Sequence, residues 1–150
     1  MNPFDLLKKD HKKVAELLDK LEKTTERGLK TRDQLFQQVK EELELHSAIE
    51  EEIFYPALQE EEDTKDITLE AFEEHKIVKT LLEELDSMPR DDDQWAAKLT
   101  VLKENVEHHV EEEEGEMFKK AKKALNDDEL EDLGDRMAEQ KKEATAAVTE

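Results

Sequence analysis

Four stretches of this chain carry apolar residues at alternating spacings of three and four, and each stripe is interrupted only by histidine or glutamate. The first runs Phe4, Leu7, His11, Val14, Leu18, Leu21, and the second Phe36, Val39, Leu43, His46, Glu50, Ile53. The third runs Ala71, His75, Val78, Leu82, Leu85, and the fourth Leu99, Leu102, Val106, His109, Glu113. That period puts the residues of each stripe on one face of an α-helix. Four such faces in one chain are best buried against one another. The pattern predicts an all-α fold, an antiparallel up-down four-helix bundle with an additional C-terminal helix. Composition agrees: 44% of residues are charged, with only three Gly and three Pro, which suits long helices and not a sheet.

Local signals place the boundaries. Asn2-Pro3 is a helix start and Gly28 a natural stop. Thr31 with Gln34 resembles a capping box opening a second helix that runs to about Gln59, with Pro56 expected to kink or end it. EEEDTKD reads as a loop before a third helix from about Ile67 to Ser87, and PRDDD separates that from a fourth, from about Gln94 to Leu125. NDDE at 126–129 has capping character and begins a fifth helix. The bundle is therefore expected over residues 1–125. Residues 126–150 form a helical extension whose thin stripe (Leu130, Leu133, Met137, Ala144, Val148) packs on the bundle or on a partner.

The chain also repeats itself. DHKKVAELLDKL at 10–21 returns as EHKIVKTLLEEL at 74–85, an offset of 64, and HSAIEEEIFY at 46–55 returns as HVEEEEGEMF at 109–118, an offset of 63. The second match aligns His109-x-x-x-Glu113 with His46-x-x-x-Glu50 and leaves the adjacent His108 opposite Leu45. On a helix His108 lies about 100° around from His109, off the inward stripe.

A lone core histidine is commonly a satisfied structural group. Four histidines and two glutamates on core stripes are different, because buried carboxylates without partners would cost several kcal/mol each or stay protonated. Measured from the connecting turns at ~1.5 Å per residue, the histidines and glutamates fall within about one helical turn of a common level. All six can meet in one layer. Four imidazoles and two carboxylates suit two divalent metals, since each carboxylate can bridge ions ~3.5–4 Å apart. Nitrogen and oxygen donors without cysteine are compatible with iron, manganese or zinc.

Other chemistry is excluded. A formal charge of −20 argues against nucleic acid and anionic membrane as partners. With no cysteine there are no disulfides or thiolate sites. The first residues lack an apolar signal region, and no apolar run approaches the ~20 residues of a membrane span. A soluble, cytoplasmic protein is expected.

The order His, His-x-x-x-Glu, His, His-x-x-x-Glu on four helices, with EEEIFYPAL after the second histidine and HHVEEEEGEMF in the fourth helix, resembles the hemerythrin-like (HHE) cation-binding domains over roughly residues 5–122. The resemblance implies a non-heme di-iron centre, two iron ions held by His11, His46, Glu50, His75, His109 and Glu113. It also implies a protein that binds or reacts with a small oxidant such as oxygen, peroxide or nitric oxide. The alternative is an iron-responsive module whose metal occupancy controls folding and contact with a partner protein. Lys79 stands where oxygen-carrying members have a fifth histidine, and the fourth-helix motif ends in glutamate four residues on instead of aspartate five on. Lys119 stands where many members have proline, so the fourth helix should run on. His108 is the one further candidate ligand. Ferritin-like sites use Glu-x-x-His, and the residues three before the histidines here are Lys8, Leu43, Phe72, Asn105 and Val106, so that class is disfavoured.

Overall fold

A computed structural model describes residues 2–149, with side chains described through residue 146. Val148 of the last stripe lies outside the described side chains. The described residues form five helical rods and no strand. The first spans Pro3–Glu22, and Asn2 caps it by accepting the Phe4 N–H at 2.8 Å. The second spans Leu29–Ile49 and continues through a wider turn, Glu50–Phe54, into Tyr55–Gln59. The third is Glu62–Ser87. The fourth is Asp93–Glu112, continued by Glu113–Met117 and Phe118–Ala124, and the fifth is Asp127–Thr149.

Several boundaries move from their expected places. The first helix ends at Glu22, not Gly28, because the Thr24 hydroxyl takes up the Leu21 carbonyl at 2.6 Å. Gly28 is instead the residue just before the second helix, which begins at Leu29 with no side-chain cap, so Thr31 and Gln34 lie inside it. The third helix starts at Glu62, and Thr64 inside its first turn donates its hydroxyl back to the Leu58 carbonyl. The fifth helix opens as read: Asn126 Oδ1 accepts the Glu129 N–H at 2.8 Å and Glu129 Oε1 accepts the Asn126 N–H at 3.1 Å.

Pro56 neither ends nor breaks its helix. The turn just ahead of it widens to π geometry, in which the Tyr55 N–H reaches back to the Glu50 carbonyl. Proline is not the cause, because the fourth helix widens in the same way over Glu113–Met117, with the Phe118 N–H on the Glu113 carbonyl and Lys119 in the proline's place. Both wide turns begin at a buried glutamate, and they lie one repeat offset apart.

The core comes in two apolar halves. One holds Val14, Leu18, Leu21, Phe36, Leu85, Trp95 and Leu102. The other holds Phe4, Leu7, Ile53, Phe54, Tyr55, Leu58, Met117 and Phe118, together with Leu133 and Met137 of the fifth helix. Buried Arg32 fastens the far end of the first half, donating to the Thr24 carbonyl at 2.8 Å and the Arg90 carbonyl at 2.7 Å while lying over the Trp95 ring. Between the halves lies the level of His11, His46, His75 and His109. The fifth helix packs on the first and second. No helix among the described residues is long and apolar enough to cross a membrane.

Candidate metal centre

Each bundle helix delivers one histidine to this level, and the second and fourth deliver a glutamate one turn later. His11, His46, His75 and His109 are all buried, and Glu50 and Glu113 are fully so. The imidazoles stand in two pairs: His11 and His46 with ring centres 4.9 Å apart, His75 and His109 also 4.9 Å apart. The carboxylates cross between the pairs. Glu50 Oε1 lies 3.1 Å from His46 Nε2 and 3.1 Å from His75 Nε2. Glu113 places Oε1 3.2 Å from His11 Nε2 and Oε2 3.1 Å from His109 Nε2.

Despite this closeness, His11 Nε2, His46 Nε2, both oxygens of Glu50 and Glu113 Oε1 are buried without a hydrogen bond. Buried polar atoms are almost always satisfied. Five orphans facing one small volume are what a set of metal donors looks like, and the residues fit a metal. Within the layer, His11, His46, Glu50 and Glu113 can converge on one point, and Glu50, His75 and His109 on a second.

The other nitrogen of every imidazole is held by a carboxylate from the neighbouring helix. His46 Nδ1 is 3.0 Å from Asp10 Oδ2, and His75 Nδ1 is 3.2 Å from Glu51 Oε2. His109 Nδ1 is 2.7 Å from Glu74 Oε1, and His11 Nδ1 is 2.7 Å from Glu114 Oε2. A carboxylate at Nδ1 holds a proton there and turns Nε2 inward, and such partners also raise ligand basicity. The four contacts close a ring: first helix to second, second to third, third to fourth, fourth to first. The motif reading missed this ring although its signal was present. An acid precedes the histidine in helices one and three, and an acid follows the glutamate in helices two and four.

Tyr55 was also missed. Its hydroxyl donates to Glu113 Oε2 at 2.6 Å and lies 3.3 Å from His75 Nε2 and 3.2 Å from His109 Nε2. Burial, with Glu113 and Glu50 nearby, holds its pKa well above the ordinary tyrosine value, so it stays a phenol. Burial would also neutralise Glu50, but the charge on His46 outweighs it and holds this carboxylate well below the ordinary glutamate value. Burial likewise opposes charge on His46 and His109. The carboxylates win, Glu50 and Asp10 raising His46 to about 10 and Glu113, Glu50 and Glu74 raising His109 to about 12.

His108 is separate. Its side chain is 66% exposed, 3.4 Å from Glu112 and 3.7 Å from Glu74, on the outside of the bundle. Lys79 is exposed as well. A cavity of about 30 Å³ adjoins the layer on the side of the first core half, lined by the four histidines with Val14, Leu43, Val78, Val106 and Val110 among others.

Comparison with known proteins agrees with this geometry. The model of one family, described as Hemerythrin HHE cation binding domain, matches residues 2–121. The protein Rv2633c of Mycobacterium tuberculosis is 33% identical over 142 residues, covering 92% of this chain and 84% of its own. A DNA nickase of Nostoc sp. is 27% identical over 131 residues, which cover 87% of this chain but 36% of the nickase. Among solved structures, an HHE cation binding domain-containing protein from Mycobacterium kansasii superposes with a TM-score of 0.86 at 27% identity, over 98% of this chain and 89% of that one.

Proposed function

The chain belongs to the hemerythrin HHE cation-binding domain family, and from that premise we propose that it is a non-heme di-iron protein which binds or reacts with a small oxidant: oxygen, peroxide or nitric oxide. The observation that carries the two-metal reading is the crossing of the carboxylates. His11 and His46 would serve one ion and His75 and His109 the other. Glu50 spans His46 and His75, and Glu113 spans His11 and His109, so each would bridge. Manganese or zinc would fit the same donors less distinctively.

Iron held by His11, His46, Glu50, His75, His109 and Glu113 would supply a redox-active Lewis acid. The chain supplies the surroundings. The cavity beside the layer, about 30 Å³, is of the size of a water molecule's share of liquid and suits a two- or three-atom ligand. Valine and leucine side chains make its wall opposite the histidines largely apolar. Tyr55 holds a proton on its hydroxyl oxygen 2.6 Å from Glu113, beside His75 and His109, where it can donate a hydrogen bond toward either position. The exposed Lys79 stands where oxygen carriers have an extra imidazole, which argues against simple reversible carriage.

Elemental analysis of untagged protein from iron-replete cells, followed by absorption spectra of the oxygenated and azide-bound forms, tests the proposal. Two irons per chain with charge-transfer bands that respond to azide are expected. One tightly held metal, or zinc alone, overturns it. The regulatory reading keeps a foothold because the fifth helix touches the centre through Asp10. Two irons with no spectral response to oxygen, peroxide, nitric oxide or azide would favour it.

A further inference from the structure

The four outer carboxylates are not equivalent. The side chains of Glu51, Glu74 and Glu114 remain 42%, 23% and 33% exposed, so water shares their charge. That of Asp10 is 4% exposed. What covers it is the fifth helix, from which Lys141 brings its ammonium onto Asp10 Oδ1 while Oδ2 accepts from His46 Nδ1. Leu133 and Met137 of the same helix are buried in the adjoining core half and fix where Lys141 stands. A buried anion needs partners on both oxygens.

We propose that Lys141 is a positioning residue for the metal centre: by fixing the orientation of Asp10, it fixes the His46 ring so that Nε2 faces Glu50, and so strengthens the ion position built from His11, His46, Glu50 and Glu113 relative to the one built from Glu50, His75 and His109. This rests on the two-metal reading above. No lysine or arginine reaches the other three outer carboxylates among the described contacts, and Glu74 has only the exposed His108 at 3.7 Å. Without the ammonium, Oδ1 of Asp10 loses its partner beneath the fifth helix, and nothing on that side keeps the carboxylate turned toward His46 Nδ1. By linkage, metal at this position strengthens docking of the fifth helix by the same factor.

The test is anaerobic titration of the metal-free full chain with ferrous iron against a competing chelator. In Lys141→Met one of two uptake steps should weaken about 10–100-fold, the range for loss of an outer-shell partner, while the other stays within about twofold. Lys141→Arg should restore it, and Lys141→Gln should repeat the loss should the methionine variant fail to fold. Met137→Ala loosens the fifth helix that carries Lys141 and should weaken the same step, by less than Lys141→Met. Unchanged binding in Lys141→Met, or equal weakening of both steps, would overturn the proposal. If the wild type takes up a single ion, the two-metal reading falls. The role of Lys141 is then decided by whether that ion's affinity drops in Lys141→Met and returns in Lys141→Arg.

Discussion

Metal uptake and acidity should be coupled with a slope that the structure sets. In the protein alone His46 and His109 carry protons, with pKa values of about 10 and about 12, while Glu50 is already ionised and Tyr55 stays neutral. A metal bound through Nε2 must displace one proton from each of these two imidazoles. Two protons released per chain make the overall binding constant rise roughly 100-fold per pH unit, or about 2.7 kcal/mol at ~1.36 kcal/mol for each proton. The signs then oppose. In the apoprotein both histidines are raised above the unfolded value of ~6.5. Their contribution to stability is full below that pH and is lost as pH rises through about 10 and about 12. In the loaded protein the metal contribution grows with pH. At fixed free metal the melting difference between loaded and metal-free protein should therefore widen from pH 6.5 to pH 8.5, by roughly 5–11 °C per unit at ~2–4 °C per kcal/mol. Calorimetric melts with chelator-buffered ferrous iron measure this. A difference that stays constant across the range means His46 and His109 bind nothing through Nε2, and the metal reading of the layer fails. Half the slope would leave only one of them.

His109→Ala should remove one of two bound metals while His108→Ala, at an exposed position, keeps both, as metal analysis after desalting would show. Gly115→Ala should raise stability by about 0.5–1 kcal/mol, because a Cβ there meets nothing within 4 Å and glycine costs a helix about that much. A lower denaturation midpoint would mean that the wide turn requires glycine. Trp95→Ala should cost about 3–5 kcal/mol in chemical denaturation. It empties a fully buried site and removes a 3.0 Å hydrogen bond from Nε1 to the Leu85 carbonyl, far enough from the histidines that metal content should not change.

The seven-residue stripes made the bundle, the convergence of four histidines and two glutamates and the surface place of His108 legible before any coordinates. What they could not show lies off the stripe. Asp10, Glu51, Glu74 and Glu114 each sit one residue from an inward-facing group, and a step of one residue turns a side chain about 100° toward the neighbouring helix. Whether such an acid meets a histidine or water depends on how the helices cross. Tyr55 was hidden by the wide turn that begins at Glu50, since one added residue rotates everything after it and a strict heptad reading stops at Ile53. Among so many glutamates, the four in the ring differ from the solvated ones only by position. Lys141 was likewise one lysine among many until the fifth helix was seen to cover Asp10.

Bundles assembled from seven-residue stripes have close competitors: a helix can slide by one heptad, roughly 10.5 Å, and still set leucine against leucine. Apolar packing alone discriminates weakly among such registers. The ring of carboxylate–imidazole contacts removes the degeneracy, because every helix both gives a contact to one neighbour and takes one from the other. Sliding any one helix by a heptad would break two of the four contacts and leave a histidine facing an apolar layer. The polar level thus acts as a pin through the four rods, selecting one alignment before any metal is bound.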